Sequence, residues 1–300
     1  MQSSKLRYLD TIFIGDASRR GFDHAANYIK AFCGLSDNFP LYSTAYRAMS
    51  VTIVTGASRG LGAAICNLIL QKDKDAKVVA IARSKDKLQE LADKYGSRVL
   101  SIAGDVTDTN LVATAVQKTV STFGKIDSVV LNAGVLEPVQ HVSELDIDRV
   151  KRLYEVNVFS VMDLVKQTIP YVRETGGSYL FVSSGASTKA TDAWSAYGSS
   201  KAVINHFCLS VSAEEPKIRT ISIAPGVVDT EMQRDIRERF GQNMKSEALK
   251  RFTDLYFQNE LLAPEVPAAF YANLALKGVP ADLNGRYLRY NDAMLAKFAN

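Results

Sequence analysis

The chain has 300 residues, of which 47% are hydrophobic and 23% are charged, as in ordinary soluble globular proteins. The formal net charge is only +4 and the basic residues form no block, which argues against a nucleic-acid partner. No stretch approaches the roughly 20 apolar residues that span a bilayer, and the scattered cysteines and histidines fit no metal site, so we expect neither a membrane partner nor a metal.

The first 49 residues differ in character from the rest of the chain. They show no sustained hydrophobic period, and they mix acidic with basic residues and lack a long apolar core, unlike mitochondrial or secretory leaders. We therefore expect residues 1–49 to be an N-terminal extension that is disordered or reflects a non-native start. Residues 50–300 are expected to form the catalytic domain, and cytoplasm is the expected location because no signal points elsewhere.

From residue 51 onward, short apolar segments alternate with helical patterns. The predicted strands are 51–55, 77–82, 99–104, 128–132, 177–183, 219–224 and 286–290. The predicted helices are 61–72, 84–95, 110–123, 147–173, 194–214 and 264–277. This alternation predicts a single α/β domain, a doubly wound Rossmann-type parallel sheet with helices on both faces. The polar, helix-prone residues 227–263 are interpreted as an insertion beside the substrate.

Three glycines mark the junction of the first strand and the first helix of this domain. Gly56, Gly60 and Gly62 follow the strand directly, which is the context that a dinucleotide-binding loop requires. Such a loop lets backbone amides approach a pyrophosphate at the positive end of the helix. The pattern therefore predicts a nicotinamide dinucleotide site.

The charge at the end of the second strand indicates which nicotinamide cofactor is used. An acid there binds the adenosine ribose hydroxyls, whereas an arginine suits a 2′-phosphate. This chain has Arg83 at that position and Arg59 inside the glycine loop. Two guanidinium groups at one corner favour a doubly charged phosphate, so we expect NADP(H).

A tyrosine and a lysine stand four residues apart in Tyr197-Gly-Ser-Ser-Lys201. On a helix they share one face, and a nearby ammonium would lower the pKa of the phenol. Such a phenol can exchange a proton with a carbonyl or alcohol oxygen near neutral pH. Ser184 follows an apolar strand, where its hydroxyl would reach the same edge of the sheet.

Five motifs occur in an order that resembles the short-chain dehydrogenase/reductase family, over essentially all of residues 50–292. They are Thr55-Gly56-Ala57-Ser58-Arg59-Gly60-Leu61-Gly62, Leu131-Asn132-Ala133-Gly134, Ser184, Tyr197-Gly-Ser-Ser-Lys201 and Pro225-Gly226-Val227-Val228-Asp229-Thr230. The resemblance implies a Rossmann-type sheet and a Tyr–Lys–Ser–Asn active site. It is closer to the fungal benzil reductase group, which is related to sepiapterin reductases and contains NADPH-dependent carbonyl reductases.

The resemblance implies a role for each of four catalytic residues. Tyr197 would donate the proton, Ser184 would stabilise the oxyanion, Lys201 would lower the pKa of Tyr197 and bind the nicotinamide ribose, and Asn157 would support a relay water. Motif and resemblance together place the cofactor against Gly56, Ser58, Arg59, Gly60, Leu61, Gly62, Arg83, Asp105, Asn132, Gly134, Tyr197, Lys201, Pro225, Val228 and Thr230.

The residues expected to face the substrate are mostly apolar. They are Leu136, Trp194, Val227 and Met232. Such walls around one polar corner suit an aromatic or α-dicarbonyl compound, so the leading interpretation is an NADPH-dependent carbonyl reductase of the benzil-to-(S)-benzoin type. A pterin reductase, with Asp282 or Asp292 holding the pterin, is one alternative. A non-catalytic sensor of NADP(H) is another. The resemblance also implies a homodimer.

Overall fold

The computed structural model describes residues 49–299 of the chain. These residues lie in one compact unit that begins at Met49. Apart from Met49, the expected extension 1–49 lies outside the described residues.

The core of the unit is a single sheet of seven parallel strands. In chain order the strands are β1 Val51–Thr55, β2 Lys77–Ala82, β3 Val99–Ala103, β4 Ser128–Leu131, β5 Ser178–Val182, β6 Arg219–Ala224 and β7 Arg286–Arg289. Their order across the sheet is β3-β2-β1-β4-β5-β6-β7, and every neighbouring pair is parallel. All seven predicted strands are confirmed to within one residue at each end, and the strand order reverses between β1 and β4, as in doubly wound folds.

Helices cover both faces of the sheet. They are α1 Gly60–Lys72, α2 Lys85–Tyr95, α3 Thr109–Phe123, α4 Ile147–Tyr154, α5 Ser160–Thr175, α6 Ser195–Glu214, α7 Glu231–Asp235, α8 Ser246–Phe257 and α9 Glu265–Lys277. One apolar layer joins the sheet to α1, α2 and α9, and the other joins it to α3, α5 and α6. Strands buried on both faces need continuous apolar runs, which explains why β1, β4 and β5 are buried throughout.

The predicted helix 147–173 is not continuous. A π-helical turn, Glu155–Phe159, separates α4 from α5. Within it, Asn157 accepts a hydrogen bond from the Val135 amide (2.8 Å) and donates one to the Val135 carbonyl (2.8 Å). Such turns insert one extra residue into a helix, often at functional sites, and the hydrophobic pattern alone does not reveal them.

Asn205 on α6 connects three parts of the sheet edge by hydrogen bonds. Its Oδ1 accepts from Ser183, just after β5 (2.7 Å), and from Ser222 in β6 (2.6 Å). Its Nδ2 donates to Ser187 (2.8 Å) in the turn that follows Ser184. The amide therefore fixes the position of that turn against two strands.

We expect Asn205→Ala to lower the free energy of unfolding by about 1 to 3 kcal/mol, because buried hydroxyls of Ser183 and Ser222 lose their acceptor. Urea denaturation followed by circular dichroism measures this change. The matched control is His206→Ala, which removes an exposed side chain from the same helix. Equal stability of the two variants would contradict the role given to Asn205.

Candidate active site

A cavity of about 1710 Å³ runs along the carboxyl edge of the sheet. The loops after β1 to β6 open onto it, because parallel strands all present their carboxyl ends on one side. Every predicted site residue lines it except Asn157, which is 1% exposed. The cavity therefore brings the predicted cofactor, catalytic and substrate residues together.

The glycine loop forms a close-fitting turn at one end of the cavity. Gly56 and Gly60 have positive φ angles of 65° and 52°, which residues other than glycine rarely adopt. A Cβ at Gly62 would overlap the carbonyl oxygen of Gly56. Helix α1 begins here without a side-chain cap, so its first amides remain available for phosphate oxygens. The loop thus fits a dinucleotide pyrophosphate.

Asn132 braces this loop from the neighbouring strand. Its Nδ2 donates to the carbonyl oxygens of Thr55 (2.8 Å) and Gly56 (3.2 Å), while its backbone amide donates to Thr55 Oγ1 (3.0 Å). These bonds join β1 to β4 at the point where the strand order reverses. Asn132 therefore holds the shape of the phosphate loop and lines the cavity beside it.

The two predicted phosphate-binding arginines differ in their surroundings. Arg83 is exposed at the end of β2 and, within residues 49–299, makes no hydrogen bond or ion pair. Arg59 instead forms an ion pair with Glu231 at the start of α7. A residue far along the chain therefore supplies an acid beside Arg59 that the local sequence does not show, and both arginines remain predicted ligands of a 2′-phosphate.

Asp105, expected at the adenine, lies on the loop after β3 and lines the cavity. Its Oδ1 accepts hydrogen bonds from the amide (3.0 Å) and hydroxyl (2.9 Å) of Thr107. The carboxylate therefore shapes its own loop.

The catalytic corner combines the end of β5 with the first turns of α6. The Tyr197 and Ser184 hydroxyls are hydrogen-bonded to each other. Lys201, one helical turn after Tyr197, has its Nζ 5.9 Å from the centre of the tyrosine ring. That Nζ donates to the Val182 carbonyl oxygen (2.8 Å). Tyr197 and Lys201 are 7% and 4% exposed, so both polar groups are almost wholly removed from water.

Burial sets the ionisation of this pair. It raises the pKa of Tyr197, an effect that the hydrogen bond with Ser184 partly opposes, and it lowers the pKa of Lys201 to about 8. The predicted lowering of the Tyr197 pKa by Lys201 is therefore wrong here, because desolvation of the phenolate outweighs the stabilisation available to it. Tyr197 consequently keeps its proton at neutral pH, which is the state that a proton donor requires.

Asn157 lies behind this corner instead of lining the cavity. In addition to its two bonds with Val135, its Nδ2 donates to Ser200 Oγ (3.2 Å) on α6. A Cβ at Gly134 would lie 3.4 Å from both Asn157 Oδ1 and Lys201 Nζ. Asn157 therefore positions the loop after β4 against α6, next to the lysine.

Aromatic side chains form the wall opposite the cofactor loop. Trp194 packs edge-on against Tyr197, with ring centres 5.5 Å apart, and stacks on Phe252 of α8 at 5.2 Å. The predicted residues Leu136, Val227 and Met232 belong to the same apolar cluster. The arrangement can hold a flat apolar group beside the tyrosine hydroxyl.

Sequence reasoning missed several residues that complete the site. They are Gly185, Glu231, Phe252, Tyr287, Arg289 and Asn291. Tyr287 donates to the Ser184 carbonyl oxygen (3.1 Å), and the others line the cavity. Of these, the sequence could have indicated only that Tyr287 and Arg289 lie on one face of the last strand, since residues two apart share a face.

Among residues 49–299, no three histidine, cysteine or acidic side chains come together as metal ligands. Over the same part of the chain, no helix has both the length and the apolar character needed to cross a bilayer.

Comparisons with known proteins identify the family of the chain. The short chain dehydrogenase family matches residues 50–240. A benzil reductase ((S)-benzoin forming) of Saccharomyces cerevisiae is 47% identical over 259 residues, which span 82% of this chain and 97% of that protein. An uncharacterized oxidoreductase of the same yeast, YIR035C, is 47% identical over 249 residues, or 83% of this chain and 98% of its own.

Solved structures show the same relationship. A crystal structure of the KRED1-Pglu enzyme is 66% identical with a TM-score of 0.79, covering 80% of this chain and all of that one. The crystal structure of YIR035C has a TM-score of 0.83 and covers 84% of this chain and all of its own. The chain therefore belongs to the short chain dehydrogenase family, as an oxidoreductase that acts on CH–OH and C=O groups with a nicotinamide cofactor.

Proposed function

We propose that the protein is an NADPH-dependent carbonyl reductase that reduces aromatic or α-dicarbonyl compounds, in the manner of benzil reduction to (S)-benzoin. The observation that carries the proposal is the hydrogen-bonded pair of the buried Tyr197 and the half-buried Ser184 beside the ring of Trp194. The pair offers a proton and an oxyanion partner, and the indole offers an apolar platform next to them.

Bound NADPH would supply the hydride, and the protein's residues would orient the substrate, donate the proton and stabilise the developing charge. Tyr197 would give its proton to the carbonyl oxygen, which the Ser184 hydroxyl orients and stabilises as negative charge develops. Lys201, cationic at neutral pH, would hold the cofactor ribose and favour the tyrosinate that remains after proton transfer. Asn157 would support a proton-relay water through its position beside Lys201.

The wall formed by Trp194 and Phe252 favours an aromatic substrate over a pterin. A pterin needs an acid for its guanidine-like edge, and neither expected acid lines the cavity. Asp292 accepts a hydrogen bond from the Met294 amide (2.9 Å), and Asp282 lies on an exposed turn. The 47% identical benzil reductase of Saccharomyces cerevisiae supports the same substrate class.

The sensor interpretation is weaker because the catalytic groups are complete. A protein that only reports the NADP(H) ratio needs the phosphate loop and Arg83, but has no use for a buried proton donor. The Tyr197–Ser184 pair is held in place by several bonds, which favours turnover.

Several further expectations complete the proposal. Residues 50–300 would form the catalytic domain, with 227–263 as the substrate insertion and 1–49 as an extension. The protein would work as a cytoplasmic homodimer, paired through the helices within 113–123 and 147–173. Phe159, on the last of these segments, is a large apolar side chain that is 52% exposed and would be covered by such pairing.

We expect the purified protein to consume NADPH with benzil, and Tyr197→Phe to reduce kcat/KM by about 100- to 10,000-fold, the usual contribution of a general acid. Loss of NADPH absorbance measures turnover. Quenching of Trp194, the single tryptophan, measures cofactor binding, which should persist in the variant. Tyr171→Phe, outside the cavity, is the matched control. Wild-type protein that binds NADPH but reduces no aromatic ketone or diketone would overturn the proposed function.

We expect kcat/KM for reduction to be constant below about pH 7 and to fall as the pH rises through about 8. The pKa of Lys201 is lowered to about 8, so its positive charge is lost there, whereas Tyr197 stays protonated because its pKa is raised. A pH profile of NADPH oxidation measures this. The residual activity of Lys201→Arg should lack this alkaline fall, since a guanidinium keeps its charge. An alkaline fall in kcat/KM that wild-type protein and Lys201→Arg share would show that a group other than Lys201 causes it.

We expect Arg83→Ala to lower the ratio of kcat/KM with NADPH to kcat/KM with NADH by about 10- to 100-fold, because a charge-assisted contact to the 2′-phosphate is lost. The control is Arg152→Ala, an exposed arginine outside the cavity. An unaltered ratio in Arg83→Ala would show that this corner does not select the phosphate.

A further inference from the structure

The guanidinium group of Arg289 lies beside Ser184 and Tyr197 in the cavity. Arg289 is the last residue of β7, two positions after Tyr287, so both side chains leave the same face of the strand. Tyr287 donates to the Ser184 carbonyl oxygen (3.1 Å). Arg289 Nη1 lies 3.2 Å from the point where a Cβ on Gly185 would stand. The guanidinium therefore rests on the turn directly after Ser184, where the glycine leaves room for it.

The surroundings of this arginine leave its charge unneutralised. Among the arginines that line the cavity, Arg59, Arg234 and Arg239 form ion pairs with acids, and Arg251 lies over the Phe252 ring. The Arg289 guanidinium, like that of Arg83, makes no hydrogen bond or ion pair with any residue in the described range 49–299, although the Arg289 backbone carbonyl oxygen accepts a hydrogen bond from the Asp292 amide (2.9 Å). An unpaired guanidinium at a cavity wall is suited to an anionic ligand.

The position of Arg289 in the sheet separates it from the 2′-phosphate site. Arg83 follows β2, and β7 lies five strands away in the order β2-β1-β4-β5-β6-β7. At about 4.8 Å per strand the two strand ends are roughly 24 Å apart, so both arginines cannot bind one phosphate. Arg289 is instead a neighbour of Ser184, whose hydroxyl faces the reacting carbonyl under the proposed function.

A second cation reinforces the positive charge at this turn. The Lys189 amide donates to the Gly185 carbonyl oxygen (3.1 Å), and its side chain is exposed at the cavity without an ion pair among residues 49–299. Arg289 and Lys189 therefore place two cations at the turn after Ser184, in the same cavity as Trp194 and Phe252.

We propose that Arg289 is a specificity-determining residue that binds a carboxylate adjacent to the reacting carbonyl, so that aryl 2-oxo acids are a substrate class of this enzyme. The inference rests on the proposed function. The aryl ring would lie on Trp194, the keto oxygen would face Ser184 and Tyr197, and the carboxylate would meet the guanidinium one residue further along. In the reaction, the keto carbon gains a hydride from NADPH and the keto oxygen gains the Tyr197 proton, which gives the 2-hydroxy acid and NADP⁺.

The test compares phenylglyoxylate with its methyl ester, which lacks the negative charge and carries one additional methyl group. NADPH oxidation gives the ratio of kcat/KM for the acid to kcat/KM for the ester. We expect Arg289→Met to lower this ratio by about 10- to 100-fold, the usual effect of losing a hydrogen bond to a charged group, and Arg289→Lys to lower it less. Arg286→Met, on the same strand but outside the cavity, is the matched control and should keep the wild-type ratio.

The outcomes separate the two proposals. If wild-type protein reduces benzil or the ester but Arg289→Met keeps the wild-type ratio, the carboxylate assignment is wrong and the carbonyl reductase assignment stands. If wild-type protein reduces none of these compounds, the proposed function fails. Binding of phenylglyoxylate then tests whether Arg289 forms an anion site. Quenching of Trp194 by phenylglyoxylate in the presence of NADP⁺ should then weaken in Arg289→Met but not in Arg286→Met, and equal binding by both would overturn the inference.

Discussion

The parallel direction of all seven strands is the constraint on which the rest of this structure depends. Each strand ends at the same edge of the sheet, so the loops after β1 to β6 must converge there. The reversal of strand order between β1 and β4 opens a gap at that edge, and Asn132 bridges it with bonds to Thr55 and Gly56. The same bonds give the glycine loop its shape. The shape of the predicted cofactor loop therefore depends on the point where the strand order reverses.

Desolvation gives the catalytic corner its chemical character. Burying a phenol and an ammonium group disfavours the charged form of each, which raises the pKa of Tyr197 and lowers that of Lys201 to about 8. The lysine is tolerated there because its Nζ donates a hydrogen bond to the Val182 carbonyl oxygen (2.8 Å). An enzyme that reduces carbonyls benefits from this arrangement, because the donor must hold its proton until the substrate takes it.

The insertion between β6 and α9 closes the site and adjusts its charge. Phe252 of α8 stacks on Trp194, so residues before and after β6 together form the apolar wall beside Tyr197. Asn243 and Lys245 fasten the insertion to the body of the protein through Val139 (3.1 Å) and Asp192 (2.6 Å). Glu231 neutralises Arg59, whereas Arg83 and Arg289 keep their charges, one at each end of the cavity.

Local pattern was enough to predict the strands, the helices flanking them and the motif residues of the site. A strand needs an apolar run, a phosphate loop needs glycines at fixed spacing, and a tyrosine and lysine four apart share a helix face, so each signal lies within a few neighbouring residues. The π-helical turn at Asn157, the raised pKa of Tyr197, the pairing of Arg59 with Glu231 and the placement of Arg289 beside Gly185 were decided only by tertiary structure. Each of these depends on residues more than 20 positions apart in the chain or on exclusion of water. A local sequence pattern predicts neither the distance between remote residues nor the desolvation of a side chain.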